Sequence, residues 1–219
     1  MPRALEEYSW RTIRGFGQAA ASMFEVGDTK SAVLKDGTPV TFRIIGKNHD
    51  KTKSGIILPL TWEMVDCMPQ RYHWNDADTN EGSWAATKLR RMMNEAGGSV
   101  FDLMPDEIID IAVPVVKLTA NVFDGSNELI ETEDKFFIKS EKELFGRCIY
   151  SAPGEGHWYE YYRQEDVAYY KLRNGDREYL LLRSPICSNS NSFCYVSTNG
   201  IATYTDASNS LGLAPAFAF

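Results

Sequence analysis

The fold is decided by the C-terminal stretch of residues 179–219, which reads YLLLRSPICSNSNSFCYVSTNGIATYTDASNSLGLAPAFAF. Its apolar ends, Tyr179–Leu182 and Leu213–Phe219, predict two core strands, because short aliphatic and aromatic runs are typical of buried strands. Between them, Phe193–Ser197 and Ile201–Thr205 flank an Asn-Gly pair and predict a β-hairpin. The polar residues in the middle are therefore an insertion between two core strands and not a frayed tail.

Two registers of this hairpin are possible. A two-residue turn at Asn199-Gly200 places Val196 on the same side as Thr203, whereas a three-residue loop with Gly200 in the left-handed conformation pairs Val196 with Ala202. We favour the second register because it separates the apolar from the polar residues. It places Cys194, Val196 and Ala202 on a core face, and Tyr195, Ser197, Ile201, Thr203 and Thr205 on an open face.

The residues Ser184–Leu211, called the C-terminal segment from here on, differ chemically from the rest of the chain. Of the 23 Lys and Arg and 30 Asp and Glu residues, only Asp206 lies beyond Arg183, and the segment also lacks Gln, Met and Trp. A Ser- and Asn-rich surface loop explains this composition as well as a ligand-binding surface does. Binding loops favour Tyr, Ser and Asn, since Tyr offers a rigid amphipathic surface and Ser and Asn offer adaptable hydrogen bonds.

Short strands outnumber helices in the rest of the chain. Val33-Leu34 and Val40–Ile45 flank an Asp-Gly turn and predict a hairpin, and Gly55–Trp62 and Asp134–Ile138 predict further strands. The stretch 150–170 is rich in Gly, Tyr and acidic residues and predicts a long loop with one helical turn. We therefore expect an α+β fold with a mostly antiparallel sheet and two main short helices.

Capping residues mark the helices. Ser83 predicts the N-cap of a helix from Trp84 to about Glu95. Ser140 and Glu143 form a capping box for a brief helix that ends at Gly146. Pro105 is typical of the first position of another short helix, which an extended stretch follows.

The N-terminal residues 1–23 form a short amphipathic arm, and residues 24–219 form the predicted domain. Leu5, Tyr8, Trp10, Ile13 and Phe16 recur in the arm at loosely helical spacing, and the small residues from Gly15 to Ser22 predict a linker. The sequence leaves open whether this arm packs on its own domain or on a neighbouring subunit.

The net charge of −7 argues against a nucleic-acid partner, because phosphate recognition needs clustered Lys and Arg. The dense basic group, Lys88, Arg90 and Arg91, lies on a predicted helix beside Glu95 and predicts a solvated face. Membrane insertion is not expected either, since the apolar stretch Ile108–Val116 is interrupted by charge and proline.

Neither a secretory signal nor a metal motif is visible. Met1–Trp10 is charged, so we expect a protein that stays where it is made or leaves inside a virus particle. The four cysteines lack the spacing of a zinc or redox motif, and no other cofactor is expected. Cys187 and Cys194 could form a disulfide in an oxidising setting, but without an export signal we expect free thiols.

The C-terminal residues resemble a known family. The matching positions are Tyr179–Pro185, Phe193–Val196, Gly200, Ala207–Ser210 and Gly212–Phe217. They resemble the variable proteins of diversity-generating retroelements, which have a C-type-lectin-like fold shared with formylglycine-generating enzymes. The upstream part is similar to a family of gut-bacterial and phage domains, through Phe24–Asp28, Phe42–Gly46, Asn48–Asp50, Ser83-Trp84, Lys88–Arg90 and Ser140–Gly146. The resemblance covers roughly residues 24–219; one departure is Leu180-Leu181, where the relatives often carry aromatic residues.

This resemblance implies which positions are fixed and which vary. In such systems, reverse transcription alters template adenines, so that Asn codons yield many residues but never Lys, Glu, Gln, Met or Trp. Those five are absent from the C-terminal segment. The implied scaffold positions are Arg183, Ser184, Pro185, Phe193, Cys194, Val196, Gly200, Ala202, Ala207, Gly212 and Pro215. The implied variable, ligand-binding positions are Ile186, Tyr195, Ser197, Thr198, Ile201, Thr203, Tyr204, Thr205, Asp206 and Leu211.

The function implied is non-enzymatic recognition of a receptor by a diversified surface, for phage or bacterial attachment. The ligand would be an unidentified protein or glycan on a cell surface. Docking to a phage tail or another carrier would use the arm, Pro2–Ser22, and an oligomer is possible.

Three alternatives compete with this interpretation. An enzyme of the formylglycine-generating type needs a reactive cysteine pair, and Cys187 and Cys194 have no basic neighbour to lower a thiol pKa. Hydrolytic triads lack a nucleophile beside His49-Asp50 and His157. A calcium-dependent lectin would use the cluster Asp76, Asp78, Asn80 and Glu81, whose spacing does not complete a calcium loop. After the enzymes and the calcium-dependent lectin, the third alternative is a structural phage-tail component without a ligand of its own.

Overall fold

The computed structural model describes residues 4–219, which contain six short α-helices and thirteen strands. The helices are α1 Trp10–Gly15, α2 Ala20–Met23, α3 Ser83–Ala86, α4 Lys88–Asn94, α5 Asp106–Ile111 and α6 Glu141–Phe145. The strands are β1 Thr29–Val33, β2 Pro39–Lys47, β3 Leu60–Met64, β4 Arg71–Tyr72, β5 Val115–Asn121, β6 Glu128–Asp134, β7 Lys171–Arg173, β8 Asp176–Glu178, β9 Leu180–Pro185, β10 Ser192–Val196, β11 Ala202–Asp206, β12 Leu211–Gly212 and β13 Ala216–Ala218.

The first sheet has the order β1-β2-β3-β13 and is antiparallel throughout. Its β1–β2 hairpin turns at Gly37, whose φ of 91° is left-handed, and this confirms the predicted Asp-Gly turn. The predicted terminal strand is confirmed as β13, where Phe217 packs against Phe42 and Trp62. The strand predicted from Gly55 is partly wrong, because β3 begins only at Leu60.

The second sheet has the order β11-β10-β9-β12-β4 and holds the predicted C-terminal hairpin. Its pairs are antiparallel except for β9 with β12, which run parallel. Two further antiparallel ribbons, β5-β6 and β7-β8, complete the molecule. The fold is therefore mixed α/β with mostly antiparallel sheets and few, short helices.

The helix predicted from Trp84 to Glu95 is interrupted at Thr87. Thr87 is extended, and its hydroxyl accepts a hydrogen bond from the Arg90 amide, so Thr87 and not Ser83 is the side-chain N-cap. Ser83 itself has a φ of 56° and a buried hydroxyl without a partner in the described chain. Six short α-helices thus replace the two main helices that we expected.

Other local predictions have mixed outcomes. The capping box at Ser140 and Glu143 is confirmed, and α6 ends at Gly146 with a φ of 71°. The short helix after Pro105 is confirmed as α5. The strand predicted over Asp134–Ile138 is wrong: β6 ends at Asp134, and Phe137 forms only an isolated bridge with Ala216.

The N-terminal arm packs on the body of the same chain. Trp10, Ile13 and Ala20 are buried in the main core, and Trp10 makes edge contacts with Phe42 and Phe217. The linker predicted from Gly15 to Ser22 is wrong, because this stretch is helical. Of the proposed docking arm, Pro2 and Arg3 lie outside the described residues. Within residues 4–219, no helix has both the length and the apolar character needed to cross a membrane.

Candidate ligand-binding site

The C-terminal hairpin has the bulged register that its sequence predicts. Val196 pairs with Ala202, and Gly200 has a left-handed φ of 79°. The Ser197 amide donates to the Ile201 carbonyl at 2.8 Å, which closes the loop. Because only a residue without a Cβ adopts this conformation without strain, Gly200 fixes the register.

The two faces of the hairpin differ in burial as predicted. Cys194, Val196 and Ala202 face the core and are at most 4 % exposed. Tyr195 pairs with Thr203 on the opposite face, where both are half-buried. The open face is nevertheless not open along its whole length, since the neighbouring Phe193 is fully buried and stacks on Trp74 at 5.1 Å.

Tyr204 reaches solvent although it pairs with the buried Cys194. It lies on β11, the edge strand of the sheet, and is 44 % exposed. Its ring meets Tyr150 edge-on, with the ring centroids 5.1 Å apart. An edge strand leaves such a side chain without a neighbour on one flank, so Tyr204 is both supported and accessible.

Two of the ten implied ligand-binding residues are wrong as surface positions. Ile186 is fully buried, because β9 carries the chain into the core and the Ile186 amide bonds to the Ser192 carbonyl. Leu211, in β12, is 8 % exposed and pairs with Tyr72 of β4. Both side chains belong to the core and are not placed to contact a ligand.

The remaining polar positions make local hydrogen bonds. Thr205 accepts from the Asn209 amide group at 2.6 Å, and Asp206 accepts from the Ser192 hydroxyl at 3.1 Å. The Ser197 hydroxyl accepts from the Ile201 amide. Thr198 is half-buried in the loop. These contacts hold the hairpin in shape and leave Ile201, at 63 % the most exposed large apolar side chain of the described chain, free to meet a partner.

A groove of about 380 Å³ adjoins the hairpin loop. Called the hairpin groove from here on, it is lined by Phe145, Arg147, Ile149, Trp158, Tyr169 and the hairpin residues Gly200, Ile201 and Ala202. The Phe145 and Tyr169 rings lie 5.1 Å apart. Ile149, at 43 % exposure, is accessible like Ile201. The groove is thus an apolar, aromatic concavity with one guanidinium at its rim.

The groove wall is preformed by the end of α6. The Trp158 indole donates to the Leu144 carbonyl at 2.9 Å. A Cβ on Gly146 would lie 2.5 Å from the Trp158 ring, so only glycine permits this approach. Reasoning from the sequence missed the wall residues. The aromatic density of 150–170 was the available signal, since a plain loop rarely carries so many rings.

The strand that leads into the hairpin is anchored by buried charge. Both terminal nitrogens of Arg183 donate to Glu143, and Arg183 is fully buried. Ser184 bonds to Glu155 and accepts from the Glu141 amide. The eleven implied scaffold positions are all buried except Gly200 in the loop. This burial agrees with what the resemblance implies for fixed positions, and most of the positions that it implies to be variable lie outside the core.

The acidic cluster clamps the C-terminal segment and does not converge on one point. The Asn80 amide group donates to the carbonyls of Asn189 and Ser192, and Asp78 accepts from the Ser208 amide. Asp76 pairs instead with Lys88 at 2.6 Å and with His73. The described residues contain no group of three or more His, Cys, Asp or Glu placed to hold a metal ion.

The basic group on α4 is also partly structural. Arg90 donates to Asp134 at 2.6 Å, and Asp134 is fully buried, so the prediction of a solvated face is wrong for Arg90. Arg91 is exposed and Lys88 half-buried.

The four cysteines have free thiols. Cys187 is exposed while Cys194 is buried, and burial raises the pKa of both thiols. A raised pKa disfavours the thiolate, which is the nucleophilic form.

Fold and site together define a mixed α/β protein that presents a hairpin with a single charged residue, Asp206, beside an aromatic groove. The chain belongs to the family described as Domain of unknown function (DUF6273), whose model matches residues 54–219. Neither a curated protein nor a solved structure matches the chain significantly.

Proposed function

We propose that this chain is a non-enzymatic recognition protein that binds its ligand with the C-terminal hairpin and the hairpin groove. The observation that carries this proposal is the hairpin groove, which is lined by two exposed apolar side chains, Ile149 and Ile201. Tyr204, also exposed, lies on the same hairpin and contacts Tyr150, the chain neighbour of Ile149. Contiguous exposed apolar groups of this kind mark interaction sites more often than scattered ones do. The aromatic lining supplies the rigid contact area that recognition surfaces favour.

The separation of the hairpin faces supports a diversified surface. Thr203 lies on the face opposite the buried Cys194 and Val196, and Tyr204, which shares the face of Cys194, reaches solvent at the edge strand. Such a scaffold tolerates change on its outside, because surface substitutions usually alter stability by less than about 0.5 kcal/mol. We therefore retain Tyr195, Ser197, Thr198, Ile201, Thr203, Tyr204, Thr205 and Asp206 as the proposed variable positions.

A C-type-lectin-like fold and a diversity-generating retroelement form part of the same proposal. The support is the composition of the C-terminal segment and its position between β9 and β13, which belong to different sheets. The genomic neighbourhood tests the origin of diversity. A near-copy of the gene's 3′ end beside a reverse transcriptase, differing at adenines alone, is the expected finding. A 3′ end with neither feature nearby contradicts the retroelement part.

The proposed ligand is a protein or glycan on a cell surface, and the proposed setting is a phage particle or a carrier-displayed protein. A binding screen tests this with labelled protein on a panel of gut-bacterial cells and a glycan array. Tyr204→Ala is expected to weaken binding to the cells or glycans that the screen identifies at least tenfold, while thermal stability stays unchanged.

Phe123→Ala is the matched control. Phe123 is 43 % exposed, nearly the same as Tyr204, and lies between β5 and β6, outside the hairpin groove. Equal loss of binding in both variants, or binding that neither Tyr204→Ala nor Ile201→Ala weakens, contradicts the proposed surface. Unfolding of Tyr204→Ala would show that the residue belongs to the core.

A further inference from the structure

A second concavity, of about 350 Å³, is lined by the β2–β3 connection, β5, α6 and the loop 154–157. It shares no lining residue with the hairpin groove. Its lining includes three aliphatic side chains, Ile57, Val116 and Leu118, together with two imidazoles and a lysine. Its volume lies within the range of small-molecule sites in proteins.

The two carboxylates at this cavity are already satisfied. Asp50 accepts from Lys117 at 2.5 Å, from Thr61 at 2.6 Å and from Tyr159 at 2.9 Å. Glu143 accepts from Lys117, Arg183 and the Ser140 amide. Because Lys117 and Arg183 balance the two negative charges, the floor is internally neutral and offers an entering ligand no free anion.

Three side chains at this cavity that can donate a hydrogen bond are left free. Within residues 4–219, the side chains of His49, His157 and Lys51 make no hydrogen bond or ion pair, although all three line the cavity. The His49 ring stacks on Tyr159 with centroids 4.0 Å apart, which fixes its orientation. Burial is the main cause that lowers the pKa of His49, which favours the neutral ring with one N–H donor and one acceptor nitrogen.

Acidic side chains near the mouth do not alter this balance. Glu133, which pairs with Val116 across β5 and β6, forms an ion pair with Lys53 at 3.2 Å. Glu131, opposite Leu118, does not line the cavity. Lys51 therefore remains the unneutralised charge among the lining residues.

We propose that this cavity binds a small amphipathic carboxylate, with its head between Lys51 and His49 and its alkyl chain against Ile57, Val116 and Leu118. A charge-assisted hydrogen bond to Lys51 selects the negative head, since such bonds are stronger than neutral ones. The aliphatic side chains favour the alkyl chain because burial removes apolar surface from water. The site stands independently of the hairpin groove.

Titration of the full chain with hexanoate, hexylamine and hexan-1-ol tests the proposal, because these probes share one chain and differ in the head. Calorimetry and the imidazole NMR signals are the readouts. Saturable binding of hexanoate with a shift of the His49 signal is expected, at least tenfold tighter than binding of hexylamine. Tighter binding of hexylamine, or no saturable shift at His49 up to the solubility limit, overturns the proposal.

Lys51→Gln and Lys53→Gln form a matched pair of variants. Both lysines are exposed and lie in the same connection, but only Lys51 lines the cavity. Lys51→Gln is expected to weaken hexanoate three- to tenfold, whereas Lys53→Gln leaves it unchanged. Equal effects would show general surface attraction and would overturn the proposed head contact. His49→Phe, checked for folding by its thermal transition, is expected to weaken hexanoate without strengthening hexylamine.

Discussion

The C-terminal hairpin and the buried charged cluster next to β9 are stabilised in opposite ways. This cluster, called the floor from here on, consists of Asp50, Lys117, Glu143 and Arg183. The hairpin uses an apolar inner face and hydrogen bonds between mostly neutral groups, with Asp206 as its one carboxylate. The floor uses buried ion pairs, in which Lys117 contacts Asp50 and Glu143 while Arg183 contacts Glu143. A second buried cluster joins Glu63 to Lys139 and Lys171.

The two regions therefore differ in how well they tolerate amino-acid substitution. Burial alone would raise the pKa of Glu143, yet the charges of Arg183 and Lys117 lower it to about 2. Removing one partner of such a pair leaves an uncompensated buried charge. A residue on the outer face of the hairpin neutralises no buried charge, so its substitution leaves no such charge uncompensated. Strand β9 connects the two regions, because its Arg183 and Ser184 bond to Glu143 and Glu155 and the chain then continues into the hairpin.

The largest expected effect comes from breaking the floor. Arg183→Met is expected to lower the free energy of unfolding by about 3–5 kcal/mol, since Glu143 is left buried without its main partner. Urea denaturation measures the change. Arg177→Met, at an exposed arginine that lies over Tyr170, is the control, with a loss below about 1 kcal/mol. Equal losses of unfolding free energy in the two variants would contradict the proposed difference between the buried floor and the surface.

A pH experiment sharpens the same contrast at Glu155. Burial raises the pKa of Glu155 to about 7, against 4.5 when the chain is unfolded. A raised carboxyl pKa stabilises the fold fully below pH 4.5, and this contribution is lost as pH rises through 7. Glu155→Gln is therefore expected to be more stable than the natural chain at pH 8, by on the order of 2 kcal/mol, and to lose this advantage at pH 5.

Denaturation of both proteins across pH 5–8 measures this difference. His49, whose pKa burial lowers, titrates with the opposite sign in both chains and cancels in the comparison. Below pH 4.5 the lowered pKa values of Glu63 and Glu143 make both chains lose stability as pH falls. A stability difference between the two chains that is constant from pH 5 to 8 contradicts the raised pKa.

Gly200 tests the register of the hairpin. Gly200→Ala is expected to cost about 1–2 kcal/mol, because a Cβ is strained at a φ of 79° even though the nearest atom would be 3.5 Å away. Gly15→Ala, at the end of α1 with open space around it, is the control and is expected to cost nothing. Thermal melts of both variants give the comparison. No loss at Gly200 argues against the bulged loop.

The smallest effect is expected on the outer face of the hairpin. Thr203→Ala should change the free energy of unfolding by less than about 0.5 kcal/mol, as surface substitutions do. Val196→Ala, on the inner face and fully buried, should cost more, because it leaves a cavity in the core. A cost at Thr203 as large as that at Val196 would show that both faces support the fold.

Local patterns predicted the parts of this molecule that depend on neighbours in the chain. Alternation along β10 and β11 with a glycine at position 200 is enough to set the register. The Ser140–Glu143 capping box spans a single helical turn. At Thr87 the same reasoning failed, because Ser83 and Thr87 are both suitable caps. The helix that begins after Thr87 also makes contacts outside itself, such as the hydrogen bond from Arg90 to Asp134, which the local pattern does not show.

Sequence patterns thus predicted the hairpin, its register and a fold of helices and mostly antiparallel strands. The burial of Ile186 and Leu211, the wall that residues 145–169 give the hairpin groove, and the cavity that His49 shares with Val116 and His157 depend on the tertiary structure. The physical reason is distance along the chain. Hydrogen bonds and side-chain alternation act over a few residues, whereas the Lys117–Asp50 pair joins groups 67 positions apart. Such pairs form only when the whole core is packed.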